Sequence, residues 1–268
     1  MFTTYAALTR RILGLLLTTS TLIGAFAQTT PLPSEPLGTW FIGTLSVPGG
    51  PKKWGGFAEV QGRSNTLFRE FFYYELKGGI SYDLSPSFTF TLAGGRYATY
   101  DYKELTDGPL NTEKRFWQQL VINHFLDRLR FEHRYRVEQR WFTFRDDSQS
   151  FRNRIRYRLN MFLPVNKRTI TSNTFFLSAF DEIFLNPTGP TFERNRLYAG
   201  IGYQLNNALT LQLGWVNQTN YNPASFEKGI FTPQSASAKN NVVIQVTYRI
   251  ARRQGSATPP EKLPSQQD

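Results

Sequence analysis

Cysteine is absent from this 268-residue chain, and histidine occurs only at His124 and His133. Without cysteine there is no disulfide framework, no thiolate metal site and no lipid attachment through a thiol. No phosphate-binding glycine loop, dinucleotide fingerprint or zinc spacing occurs. Beyond residue 27 no stretch is apolar enough to cross a bilayer as a helix, which takes about 20 residues. These absences remove redox sites, nucleotide-driven chemistry and helical membrane spans. No cofactor or metal is expected.

The one long apolar run lies at residues 12–25, after Arg10 and Arg11, and Ala25-Phe26-Ala27 follows as a small-residue cleavage signature. Basic residues, a short apolar stretch and such a site make up a secretory signal. The expected organisation is a signal peptide at 1–27, a flexible leader at 28–38 carrying Pro31, Pro33 and Pro36, a folded region at 39–250, and a disordered periplasmic tail at 251–268. The net charge of +11 becomes +9 once Arg10 and Arg11 leave with the signal. Basic charge suits nucleic acid, anionic lipid or anionic solutes, and export argues against nucleic acid.

What the chain does contain is alternation. Across 128–140 the even positions are Arg128, Arg130, Glu132, Arg134, Arg136, Glu138 and Arg140, while Leu129, Phe131, His133, Tyr135 and Val137 stand between them. Across 151–161, Arg152, Arg154, Arg156, Arg158 and Asn160 alternate with Phe151, Ile155, Tyr157, Leu159 and Met161. A period of two is a β-strand with successive side chains on opposite faces. Further segments repeat the pattern. Glu75 and Lys77 face away from Tyr74, Leu76 and Ile80, while Leu197, Ile201 and Tyr203, then Leu211, Leu213 and Trp215, share apolar faces. The chain is 15% aromatic, yet its mean hydropathy is −0.40. A wide aromatic face recurring on strand after strand opposite a charged one predicts an all-β fold. It is a transmembrane antiparallel up-and-down β-barrel, apolar outward and polar inward.

Eleven segments alternate in this way. Bacterial single-chain barrels have even strand numbers, so 10–12 strands are expected, with one segment false or one missed. Turns are read at Asp83-Leu84-Ser85-Pro86, near Asp127, at Pro164-Val165-Asn166-Lys167 and at Asn206-Asn207. The last is read as a two-residue type I′ turn. Longer connections near 105, 147, 188 and 230 alternate with these, which assigns the short set to the periplasm. At Gly94-Gly95 the alternation slips, predicting a bulge or bend.

Several motifs resemble the uncharacterised family DUF2490: Lys52-Lys53-Trp54 followed by Glu59 and Arg63; Glu138-Gln139-Arg140 followed by Arg154-Ile155-Arg156-Tyr157-Arg158; Asp181-Glu182-Ile183-Phe184; and Arg194-Asn195-Arg196-Leu197-Tyr198-Ala199-Gly200-Ile201-Gly202-Tyr203. The resemblance covers residues 40–249. It implies a bacterial outer-membrane barrel of a kind common in Bacteroidetes, and no activity.

The strongest chemical feature is the arginine ladder. Arg128, Arg130, Arg134, Arg136, Arg140, Arg152, Arg154, Arg156 and Arg158 stand against Glu132 and Glu138, a surplus of +7. Lining a pore, it would favour small anionic solutes. Filling a lumen, it would pair with Glu59, Glu75, Glu132, Glu138 and Glu182 in a fixed network, because guanidinium suits bidentate pairing. Both readings stand at the level of sequence. No catalytic role is expected: neither His124 nor His133 has a serine beside it, as a lipid-cleaving barrel would require. A lipid-modifying hydrolase and a soluble periplasmic β-protein are the alternatives. Carboxylate pairs at Asp146-Asp147 and Asp181-Glu182 are nominal calcium candidates. Paired glycines at Gly200 and Gly202 are read as making room inside a tight lumen. Lipid of the outer membrane is the expected surrounding.

Overall fold

The computed structural model describes residues 35–189, 191–227, 230–250, 263–265 and 267. The segment read as a signal peptide and leader residues 28–34 lie outside the described residues, as do tail residues 251–262. Ten strands follow one another up and down: β1 (Gly38–Val47), β2 (Trp54–Thr66), β3 (Arg69–Asp83), β4 (Phe88–Tyr100), β5 (Pro109–Leu126), β6 (Leu129–Phe144), β7 (Gln149–Pro164), β8 (Thr174–Leu185), β9 (Phe192–Gln204) and β10 (Leu209–Asn222). β11 (Ser225–Glu227) and β12 (Ile230–Thr232) form a small separate hairpin, and β13 (Ser235–Arg249) returns to the wall. The eleven long strands close into a barrel. Among the described residues no helix is long and apolar enough to cross a membrane.

An odd number of alternating strands leaves the first and last pointing the same way. The seam is therefore parallel, with Phe41 of β1 opposite Ile244 of β13, while β1 pairs antiparallel with β2 on its other side. This corrects the expectation of an even count. All eleven alternating segments are strands, and one parallel seam absorbs the mismatch. We call the end where β1 begins the upper rim and the end where β13 finishes the lower rim.

Period two decides which side chains go where, because a slip by one residue would exchange the two faces of a strand. The result inverts the usual distribution. Leu76, Ile80 and Ile201 on the outer wall are 57–58% exposed, whereas Glu138 and Glu182 in the interior are 0% exposed. Aromatic pairs sit outside near both rims, Trp54 with Tyr82 and Phe175 with Tyr203 below, Trp141 with Phe151 above.

Three local expectations are corrected. Gly94 and Gly95 carry no register shift: β3 pairs with β4 continuously through Gly78 opposite Gly94 and Lys77 opposite Gly95. The glycines there serve close approach. A Cβ on Gly79 would stand 2.4 Å from the Ala93 Cβ and 2.7 Å from the Leu92 carbonyl. The connection after β7 spans 165–173 rather than a short turn, and it carries Ile170 back into the barrel against Phe162 and Phe176. The 205–208 connection is no I′ turn. Neither Asn206 nor Asn207 adopts positive φ, and the Asn206 side chain instead accepts hydrogen bonds from the amides of Ala208 and Leu209 at 2.8 Å each. Asparagine builds turns this way with its own carbonyl as well as through left-handed backbone.

Candidate functional site

β6 and β7 supply the densest row of inward charges. Arg130, Glu132, Arg134, Arg136, Glu138 and Arg140 from β6, and Arg154, Arg156 and Arg158 from β7, are all buried. Their register is direct: Arg134 lies opposite Arg158, Arg136 opposite Arg156, Glu138 opposite Arg154. Like charges facing across a pair destabilise it, so these strands need acids from elsewhere. They obtain them in part from β8 and β5.

Glu182 on β8 receives Arg134 at 2.7 Å, Arg156 at 2.8 Å and Arg158 at 2.8 Å, with Arg196 of β9 at 3.8 Å. Glu138 receives Arg154 at 2.6 Å and Arg156 at 2.8 Å, with Arg136 at 3.5 Å and Arg115 at 3.8 Å. Glu113 on β5 binds Arg115 and Arg140, each at 2.7 Å. Glu193 on β9 stands 3.6 Å from Arg140 and 3.5 Å from Arg154. Arg156 bridges Glu138 and Glu182, and Arg154 bridges Glu138 and Glu193. The bonds therefore form one continuous web of eight guanidinium groups and four carboxylates. Charge-assisted bonds of this kind are stronger than neutral ones, and the planar guanidinium suits sharing between acids.

Aromatic faces take up part of the cationic surplus. The buried Phe184 ring has four guanidinium carbons around it, Arg156 at 4.5 Å, Arg196 at 4.9 Å, Arg154 at 5.0 Å and Arg194 at 5.6 Å. Arg115 lies 3.8 Å over Tyr97, and Arg158 lies 3.9 Å over Phe180. A desolvated cation on an aromatic face gains about 2 kcal/mol. Tyr198 stacks on Phe180 at 4.8 Å. Glycine makes these large rings fit. A Cβ on Gly200 or Gly214 would strike the Tyr198 ring or hydroxyl, and one on Gly202 would stand 2.1 Å from the Phe176 ring.

Three ladder residues stand apart from these ion pairs. Arg128 precedes β6 in a two-residue connection where Asp127 takes φ 53°, and the alternation starts only after it. Its Nη2 donates to the carbonyls of Pro164, Val165 and Lys167 at 2.7–2.9 Å, clasping the 165–173 connection at the lower rim. Arg152 is exposed toward the upper rim, 5.7 Å from the Phe142 ring. Arg130 is inward but spends its guanidinium on the carbonyls of Asp127 and Arg168.

The facing wall is built differently. Lys77 on β3 sits between Glu59 at 2.8 Å and Glu75 at 2.5 Å, Thr44 donates to Glu59, and Tyr73 donates to Glu75. Glu132 accepts from the Ser265 hydroxyl at 2.5 Å.

Glu113, Glu193, Arg115, Arg194, Arg196 and Lys77 were not singled out as site residues from the sequence. Arg115 opens the segment that alternates in sequence, and Glu113 continues the inward period of Arg115, Trp117 and Gln119 two residues ahead of it. Glu193 had no such signal. β8 and β9 shift register between Phe184 and Leu185, which leaves Glu193 as the extra residue and turns it toward Arg140 and Arg154.

The remaining candidates do not converge. Asp181 and Glu182 are neighbours on a strand and so face opposite ways: Asp181 accepts from Asn195 outside while Glu182 binds arginines inside. Asp146 accepts from the hydroxyl and amide of Ser148, which hold its carboxyl below the usual carboxylate range. Among the described residues no three His, Asp or Glu side chains gather as a metal site. On the outer wall His124 stacks on Phe131 at 4.7 Å and on His133 at 5.1 Å, and the His133 ring nitrogen bonds the Tyr157 hydroxyl at 2.8 Å.

Comparison with known proteins returns a single relationship. The family model described as protein of unknown function (DUF2490) matches residues 37–228, most of the barrel. No curated protein and no solved structure matches the chain.

Proposed function

The chain belongs to the DUF2490 family of unknown function, and from that premise we propose that it is an outer-membrane barrel with a closed lumen, structural or binding rather than conducting. Support for the membrane comes from the inverted wall, apolar outside and charged inside, with aromatic pairs near both rims. That is the composition a bilayer requires of a barrel. The upper rim, with the long 101–108 and 223–234 connections, faces out of the cell in this reading.

The observation that carries closure is the web itself. Arg134, Arg136, Arg154, Arg156 and Arg158 are 1–2% exposed and bound to carboxylates that are 0% exposed. Trp117, Phe184 and Tyr198 fill the space between them. A barrel of this strand number has an interior that side chains fill. Eight arginines against four glutamates favour a second reading, a narrow anion-preferring pathway.

Planar-bilayer recording of the refolded mature chain separates the two. A folded, heat-modifiable and silent barrel is expected. A steady conductance with anion preference, reduced when Arg134, Arg136, Arg154 and Arg156 are neutralised, would overturn closure. Recovery of the native protein without detergent from the soluble periplasm would overturn the membrane reading.

A further inference from the structure

Below the arginine web the lumen changes character. Its wall there is made of short polar side chains, Ser81, Thr89, Thr91, Asn123 and Thr247, with Gln119 and Glu132, and it surrounds a cavity of about 120 Å³. Residues 263–265 and 267, which come after β13 in the chain, line this cavity together with the wall.

Each of the four has a built seat. Leu263 packs against Phe162, Ile170 and Phe176 at the lower rim. Pro264 is buried, and its carbonyl accepts from the Gln212 side chain of β10 at 2.8 Å. The Ser265 hydroxyl donates to Glu132 of β6 at 2.5 Å. The Gln267 amide donates to Glu59 of β2 at 3.3 Å, and the Gln267 carbonyl accepts from Arg136 of β6 at 2.6 Å. The contacts on Pro264 and Gln267 are to main-chain atoms. The contacts on Leu263 and Ser265 read side chains. Gln267 alone spans the lumen from β2 to β6.

We propose that the lower half of the lumen is a peptide-binding site, and that it is occupied by this chain's own residues 263–265 and 267. The seat is selective in chemistry: an apolar nook, a carboxylate for a hydroxyl, and a donor and an acceptor for the main chain of one residue. A polar vestibule left empty would fill with water. Here the Ser265 hydroxyl donates to Glu132, and main-chain carbonyls accept from Gln212 and Arg136, as buried polar groups require. The short inward residues Ser81, Thr89 and Thr91 toward the lower rim of β3 and β4 leave room for these residues.

The test uses a chain shortened after residue 262 and a fluorescein-labelled peptide of residues 259–268. Anisotropy in detergent is expected to show saturable binding to the shortened barrel, and binding about tenfold or more weaker to the full chain, whose site is filled. A peptide carrying Leu263→Asp should lose about tenfold or more in affinity, and Ser265→Ala severalfold, with no change made to the barrel. Equal binding of native, Leu263→Asp and scrambled peptides, or none, overturns the site.

Should the shortened chain fail to fold, the full chain carrying Ser265→Cys answers alone, since it holds no other thiol. Slow maleimide labelling when folded and fast labelling in denaturant is expected, and equal rates overturn the proposal. The bilayer recording is independent of both. Shortening leaves the arginine web in place, so conduction by the intact protein would sink closure without touching peptide binding.

Discussion

The wall formed by β5 to β9 and the wall formed by β2 to β4 share one alternation and one barrel, yet they fill the lumen in opposite ways. On the first, long guanidinium groups crowd around Glu113, Glu138, Glu182 and Glu193, and each acid serves several cations. On the second, Lys77 is held between two glutamates with Arg63 3.9 Å from one of them, and toward the lower rim the inward side chains are short, Ser81, Thr89 and Thr91. The lesson is one of volume as well as charge. Where inward residues are long the lumen closes on itself, and where they are short another segment of the chain occupies the space.

The largest expected effect comes from removing a shared acid. Glu182→Ala strips Arg134 and Arg158 of their closest carboxylate, and Arg156 of one of its two, at 0% exposure. Leaving buried charge uncompensated costs on the order of 3–5 kcal/mol, to be read as a lowered urea midpoint in detergent. Glu75→Gln on the other wall should cost about 1.5–3 kcal/mol, because Lys77 keeps Glu59. Equal losses would erase the distinction between the walls.

Next is the outer face. Ile201→Arg places a charge on the exposed apolar band. In a bilayer this should cost about 2–4 kcal/mol near the midplane, measured by unfolding from lipid vesicles. No loss at that position would argue against lipid there. Gly202→Leu follows, with overpacking of about 1–3 kcal/mol against Phe176, relieved in part by a second change, Phe176→Leu. An unrelieved double variant would place the strain elsewhere. The smallest effect is expected at the exposed pair Arg168–Asp127, whose side chains are 84% and 69% exposed. Arg168→Ala should change stability by about 0–1 kcal/mol, which sets the scale for the buried web.

Much of the architecture was legible because period two needs no long-range knowledge. Strands β6 and β7 declare their inner faces through Arg134, Arg136, Arg154 and Arg156, and β9 and β10 declare their outer faces through Leu197, Ile201, Leu211 and Leu213. Arg128 misled because it continues the alternation into a turn, where backbone geometry no longer alternates. Glu193 was hidden because a bulge breaks the period where it sits. Asn206 has two ways to make a turn, and composition does not choose between them.

By itself, then, the chain determined that it is a barrel of alternating strands, which faces are charged and which family it belongs to. Side-chain direction in a strand is a local property, and the motifs lie within single strands. Only the tertiary structure decided that eleven strands close through a parallel seam, and that Glu113, Glu138, Glu182 and Glu193 divide the arginines among them. It also set residues 263–265 and 267 against the lumen wall. Those outcomes depend on which strands become neighbours and how much volume the wall leaves inside. Neither quantity is carried by the spacing of residues along one strand.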